Sequence, residues 1–149
     1  MNLRRKIGTS VATVVMAATS TIVGAAPAHA AHRCGDEFIG IPYNQDARTT
    51  LMERTEHGVR IELKIKQFPD VGEAVFARIS GATRSGEQVW LDWSYTGGDG
   101  WAQCGPFTVS ERNKPNTSAA ADRYSGRGTL TFRACALVRG GGYCTEWWT

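Results

Sequence analysis

The stretch VRIELKIK, residues 59–66, alternates apolar Val59, Ile61, Leu63 and Ile65 with charged Arg60, Glu62, Lys64 and Lys66. Successive side chains of a strand point to opposite faces, so a period of two sorts these eight residues into one apolar and one charged face. A helix would spread both sets around its circumference. The stretch therefore predicts a strand with one side on a core. Gly58 bounds it before, and Pro69-Asp70 stops it after Phe68.

Working outward, strand signals recur. Residues 73–80 lie between Gly72 and Gly81, and residues 88–95 follow the turn-like Arg84-Ser85-Gly86. A short strand is predicted at 107–110. At 129–138, Leu130, Phe132, Ala134 and Ala136 alternate with Thr129, Thr131, Arg133 and Cys135. The chain then turns through Arg139-Gly140-Gly141-Gly142 and returns over residues 143–148 as a terminal hairpin. QDARTTLMERTEH, residues 45–57, reads either as a short helix or, because of the β-branched pair Thr49-Thr50, as an edge strand. ERNKPNTSAAADRYSGRG, residues 111–128, reads as an exposed loop with at most one short strand. Short strands with glycine-rich turns predict an all-β chain, an antiparallel β-sandwich of immunoglobulin/fibronectin-like architecture.

The N-terminus has a different character. Arg4, Arg5 and Lys6 precede an uncharged run from Ile7 to about Ala26, and Ala28-His29-Ala30 follows as a small-x-small box. This pattern predicts a secretory signal peptide, residues 1–30, cleaved after Ala30. The expected mature protein is a single domain over residues 31–149, secreted and without a membrane segment once the leader is removed. The full chain carries 17 Lys and Arg against 14 Asp and Glu. Three of the basic residues leave with the leader, so the mature chain is neutral. Its remaining cations are scattered among acidic residues, which disfavours nucleic acid as a partner.

All four cysteines, Cys34, Cys104, Cys135 and Cys144, fall in the mature part. An even count in an exported protein predicts two disulfides, whereas zinc would need closely spaced pairs. Three connectivities are open. Closeness in sequence favours Cys135 with Cys144, leaving Cys34 with Cys104.

No arrangement of residues predicts catalysis. His32 and His57 are the histidines left after cleavage, and no G-x-S-x-G accompanies them. Asp92 and Asp99 are near in sequence, but one sits on a strand and the other in a glycine turn, unlike a carboxylate pair held across a cleft. No metal or cofactor motif is present. The chain reads as a non-enzyme that binds.

VWLDWSYTGGDGW, residues 89–101, holds three of the five tryptophans around a Gly-Gly-Asp-Gly turn. If it is a strand, Val89, Leu91, Trp93 and Tyr95 share one face and Trp90, Asp92 and Ser94 the other. The simplest assignment buries the first set and exposes the second. The turn itself falls to Gly97, Gly98 and Gly100. Trp147 and Trp148 are adjacent, so they face opposite ways.

These residues carry a resemblance. VWLDWSYTGGDGW, then Gly105, RGTLTFRAC at 127–135 and CTEWW at 144–148 are similar to a small secreted module of actinobacteria with the pattern W-L-D-R-S-x-D-G-G-x-x-W, R-G-x-x-R-A-C-G and C-T-x-W. The match spans about residues 86–148. The module has no defined function but also occurs beside glycoside hydrolase domains, including α-mannan-cleaving ones. The resemblance implies secretion, a Cys135–Cys144 bridge and a link to carbohydrate. It also suggests pairing of Asp92 with Arg133. The family has Arg at the place of Trp93, which implies a partly accessible position near the strand end. The same stretch resembles the Asp-box of sialidases, S-x-D-x-G-x-x-W, in Ser94, Gly98 and Trp101, with Thr96 at the place of the aspartate. That likeness implies a hairpin with Thr96–Gly100 at its tip and Trp101 packed inward beneath it. Without the aspartate the turn is expected to be looser, or held by Asp99.

The function expected is a secreted, non-catalytic binding or accessory module. Its ligand would be an extracellular or cell-wall glycan stacked on Trp93 and Tyr95. The alternative is a protease-inhibitor-like protein presenting the 111–126 loop.

Overall fold

A computed structural model describes residues 34, 38–69, 71–124 and 130–149. The expected signal peptide and its cleavage after Ala30 lie outside these residues, as do positions 125–129 of the polar segment. Ten strands follow in order: β1 (Phe38–Ile39), β2 (Thr49–Glu56), β3 (Val59–Phe68), β4 (Gly72–Gly81), β5 (Gln88–Ser94), β6 (Ala102–Thr108), β7 (Asn116–Thr117), β8 (Ala120–Asp122), β9 (Thr131–Val138) and β10 (Gly141–Cys144). One sheet has the order β1-β8-β4-β3-β2, with β7 also on β4, and the other β10-β9-β5-β6. Every pairing is antiparallel. Among the described residues, no helix is long and apolar enough to cross a membrane.

The predicted alternation places Val59, Ile61, Leu63 and Ile65 inward, against Val75, Ala77 and Ile79 of β4. Val89 and Leu91 of β5 and Phe132, Ala134, Ala136 and Val138 of β9 face them from the second sheet. Two sheets closed over one core make the chain an all-β sandwich. Burying a large aliphatic side chain is worth about 1.5–3 kcal/mol, so this shared layer is what holds the sheets together. Residues 45–57 resolve as the edge-strand alternative: β2 pairs with β3 through a two-residue turn at His57 and Gly58, both at positive φ (52° and 75°).

Both expected disulfides are formed. Cys34–Cys104 ties the N-terminal segment to β6, and Cys135–Cys144 staples directly opposed residues of β9 and β10. On chain-entropy grounds they restrict the unfolded chain by about 4.4 and 2.7 kcal/mol respectively. The turn of the terminal hairpin is tighter than expected, with Arg139 and Gly140 at φ 51° and 82°. Regular pairing stops at Cys144 and resumes only as a bridge between Phe132 and Trp148.

Two expectations are corrected. The 111–128 segment is not one exposed loop: β7 and β8 lie within it, on β4, and residues 116–121 are buried. Backbone satisfaction explains how so polar a stretch goes under. The Ser118 hydroxyl accepts from the Ala77 N–H at 2.9 Å, and the Asn116 side-chain amide donates to the Thr108 carbonyl at 2.7 Å. Ala119, Ala120 and Ala121 then fit small spaces against the sheet. Among its described residues, 111–114 and Tyr124 keep the exposure expected for an inhibitory loop.

The second correction concerns the charged face of β3. Glu62 and Lys64 are buried, because residues 39–47 lie across that side of the sheet. Ile39, Ile41 and Ala47 pack on Ala74, Phe76 and Ala120 as a second small core. Beside it, Glu62 takes Lys64 at 3.1 Å, Arg78 at 2.9 Å and Arg60 at 3.0 Å, and Asp46 closes the network onto Lys64 at 3.0 Å.

Candidate functional site at the β5–β6 hairpin

β5 and β6 form the expected hairpin, with residues 95–101 as its tip. Hydroxyls, not the Asp99 carboxylate, hold the tip. Ser94 Oγ accepts from the backbone N–H groups of Thr96 and Gly98, each at 3.1 Å, and donates to the Gly100 carbonyl at 2.6 Å. Thr96 Oγ1 donates to the Asp99 carbonyl in a short bond. The turn is therefore neither loose nor held by Asp99, as was expected of it, but closed by the hydroxyls of Ser94 and Thr96. Gly97, Gly98 and Gly100 all have positive φ (69°, 102° and 91°). Gly98 is needed for a second reason: a Cβ there would come within 2.6 Å of Trp147 Nε1.

Trp101 does not pack inward under the tip as expected. It is 55% exposed, on the outer side of the sheet, with its ring 4.6 Å from the Arg133 guanidinium. Trp147 takes the same guanidinium at 4.5 Å. Arg133 thus lies against two indoles while its Nη2 and Nε hold Asp92 Oδ2 at 2.8 and 2.9 Å. Asp92 and Arg133 are cross-strand partners of β5 and β9, so the register itself delivers the pair. The burial of Asp92 and Ser94 corrects the expectation that they would be exposed: Asp92 lies against the Arg133 guanidinium that the two indoles flank, and Ser94 lies within the tip that it bonds. Burial pushes the Asp92 carboxyl above its usual range, and Arg133 pulls it only part of the way back. Asp92 Oδ1 is buried with no hydrogen-bond partner.

Trp93 and Tyr95 run along the other side of β5. Trp93 is half-buried, packed against the main core and 6.3 Å from the Phe38 ring. Its indole nitrogen is buried without a partner. Tyr95, 40% exposed, stands at right angles to it with ring centroids 5.0 Å apart. Trp93, Tyr95 and Trp101 border one shallow hollow of about 290 Å³, with Thr96 and Asp99 at its rim. The sequence pointed to the first two of these rings as stacking candidates, although its simplest assignment buried them, and missed the third. It also missed Trp147, although the adjacency of Trp147 and Trp148 already required that one face outward; Trp148 is the one that packs on the core.

Elsewhere, a hollow of about 430 Å³ lies between residues 46–49 and the ends of β3 and β4, and one of about 280 Å³ lies between residues 84–87 and Arg139. Asp92, Cys135 and Cys144 come within 4.8 Å of one another, the spacing of a metal site. The two sulfurs are bonded to each other and offer no thiolate. No family model matches the chain, and neither any curated protein nor any solved structure matches it.

Proposed function

We propose that the chain is a secreted, non-catalytic binding module whose ligand is a glycan, held at the tip of the β5–β6 hairpin. The observation that carries this reading is the grouping of Trp93, Tyr95 and Trp101 around one hollow, two of them substantially exposed. Aromatic faces suit the C–H faces of pyranose rings, and the rim hydroxyl and carboxylate of Thr96 and Asp99 suit sugar hydroxyls. The scaffold is well suited to presenting such a site. The tip is cross-linked by Ser94 and Thr96, and Trp101 is backed by a guanidinium that Asp92 holds in place. The two disulfides are consistent with an extracellular protein. The inhibitor alternative has less to stand on, since the centre of the loop it requires, residues 116–121, is buried.

Retention on insoluble polysaccharides tests the reading. The wild-type chain is expected to be retained on at least one glycan and Trp101→Ala to be released from it. Failure of the wild type to bind any glycan in a broad panel would remove the proposal.

A further inference from the structure

The hollow at the hairpin tip has a charge as well as a shape. Asp99 is the one charged residue among those bordering it. The nearest guanidinium, Arg133 beneath Trp101, is bound to Asp92 at 2.8 Å, so its charge is compensated on the far side of the ring. The hollow is therefore bordered by one carboxylate and three aromatic residues, of which Trp93 and Tyr95 stand at right angles to each other. Aromatic faces carry the negative side of a ring quadrupole and attract cations, most of all when several rings and an anion converge. An acidic glycan would meet repulsion there, and a neutral one would gain stacking alone. The volume, about 290 Å³, is at the low end for a ligand pocket and suits one sugar unit better than a long segment.

We propose that this hollow takes a positively charged ammonium group, borne by an amino sugar whose nitrogen is not acetylated. Asp99 pairs with the ammonium, and Trp93, Tyr95 and Trp101 surround it and the sugar ring. The proposal rests on the glycan reading above and adds the substrate class to it.

Titration of the purified full chain, followed by tryptophan fluorescence at a pH where the amines are protonated, tests it with four probes. These are a glucosamine tetrasaccharide, its fully N-acetylated counterpart, a glucose tetrasaccharide, and tetramethylammonium. The glucosamine oligomer is expected to bind about tenfold more tightly than either neutral oligomer. Asp99→Asn should cut that preference to less than about threefold, and Trp101→Ala should abolish binding while Trp101→Phe restores part of it. Equal binding of the neutral oligomers, unaffected by Asp99→Asn, would overturn the ammonium site and leave the glycan reading standing. Binding of tetramethylammonium, lost in Trp101→Ala, with no oligosaccharide bound would keep the ammonium site and overturn the glycan reading. Absence of binding by all four probes would overturn the ammonium site, and retention on the broad polysaccharide panel then decides the glycan reading.

Discussion

The outer faces of the two sheets bury charge in different ways. On the β2–β3–β4 side, Glu62 lies under residues 39–47 with three cations and two hydroxyls around its carboxylate. On the β5–β9 side, Asp92 has a single arginine, and the cover is two indole rings. A network can satisfy each oxygen of a buried carboxylate. Among the described residues each arrangement leaves a buried polar atom without a partner, Arg78 Nε in the network and Asp92 Oδ1 in the pair, at a cost of about 1–3 kcal/mol apiece. The first arrangement clasps a chain segment to the sheet. The second stands beside the exposed rings of the β5–β6 tip.

Removal of the Glu62 carboxylate should have the largest effect on stability. Glu62→Ala leaves Lys64 and Arg78 buried without their common partner, and we expect a loss of about 3–5 kcal/mol in urea unfolding. A loss under about 1 kcal/mol would show that the cluster is not a coupled network. Next in size is the pair on the other face. Asp92→Asn, Arg133→Gln and the double variant should show a coupling of about 1–3 kcal/mol, and simple additivity would reduce the pair to a contact without energetic consequence.

The smallest effects are in pH dependence, and they have opposite signs on the two faces. Burial raises the Asp92 carboxyl above 3.8 in the folded state. Its relative contribution is thus greatest below that value and is lost as pH rises through the higher folded value. The stability of the wild type relative to Asp92→Asn should accordingly increase on acidification. Asp46 goes the other way. Although desolvation opposes it, the bond from Lys64 leads the effects that bring its carboxyl below 3.8. Its contribution is present above 3.8 and is lost as pH falls through the lower folded value, so wild type relative to Asp46→Asn should weaken on acidification. Because Asp46 is largely exposed, that change should stay below about 1 kcal/mol. Chemical denaturation of the three proteins across the acid range measures both; slopes of the same sign would defeat the contrast.

The candidate site was partly legible. The turn was readable from its three glycines, whereas the period of β5 put Trp93 and Tyr95 on the face expected to be buried, and the structure leaves Trp93 half-buried and Tyr95 exposed. The partnership of Asp92 with Arg133 was suggested by a motif likeness, and the β5–β9 register supplies its geometry. Trp101 was misplaced because its position depends on Arg133, thirty-two residues later, whose guanidinium offers an indole face a better seat than the turn does. Residues 116–121 were misread for a related reason. Polar side chains in a short segment look like a loop until the carbonyl of Thr108 and the N–H of Ala77 are found to use them.

By itself the sequence determined the long strands β3, β4, β5 and β9, the inward set of β3 and β9, the two-disulfide framework and the all-β class, because alternation, turn residues and cysteine spacing act locally or by simple pairing. Tertiary structure alone decided which outward faces are covered. Glu62 and Lys64 carry the same pattern in either case. They are buried only because residues 39–47, tied nearby by their own apolar contacts, come to lie across them. Period two tells which way a side chain points, and the rest of the chain decides whether water is there to meet it.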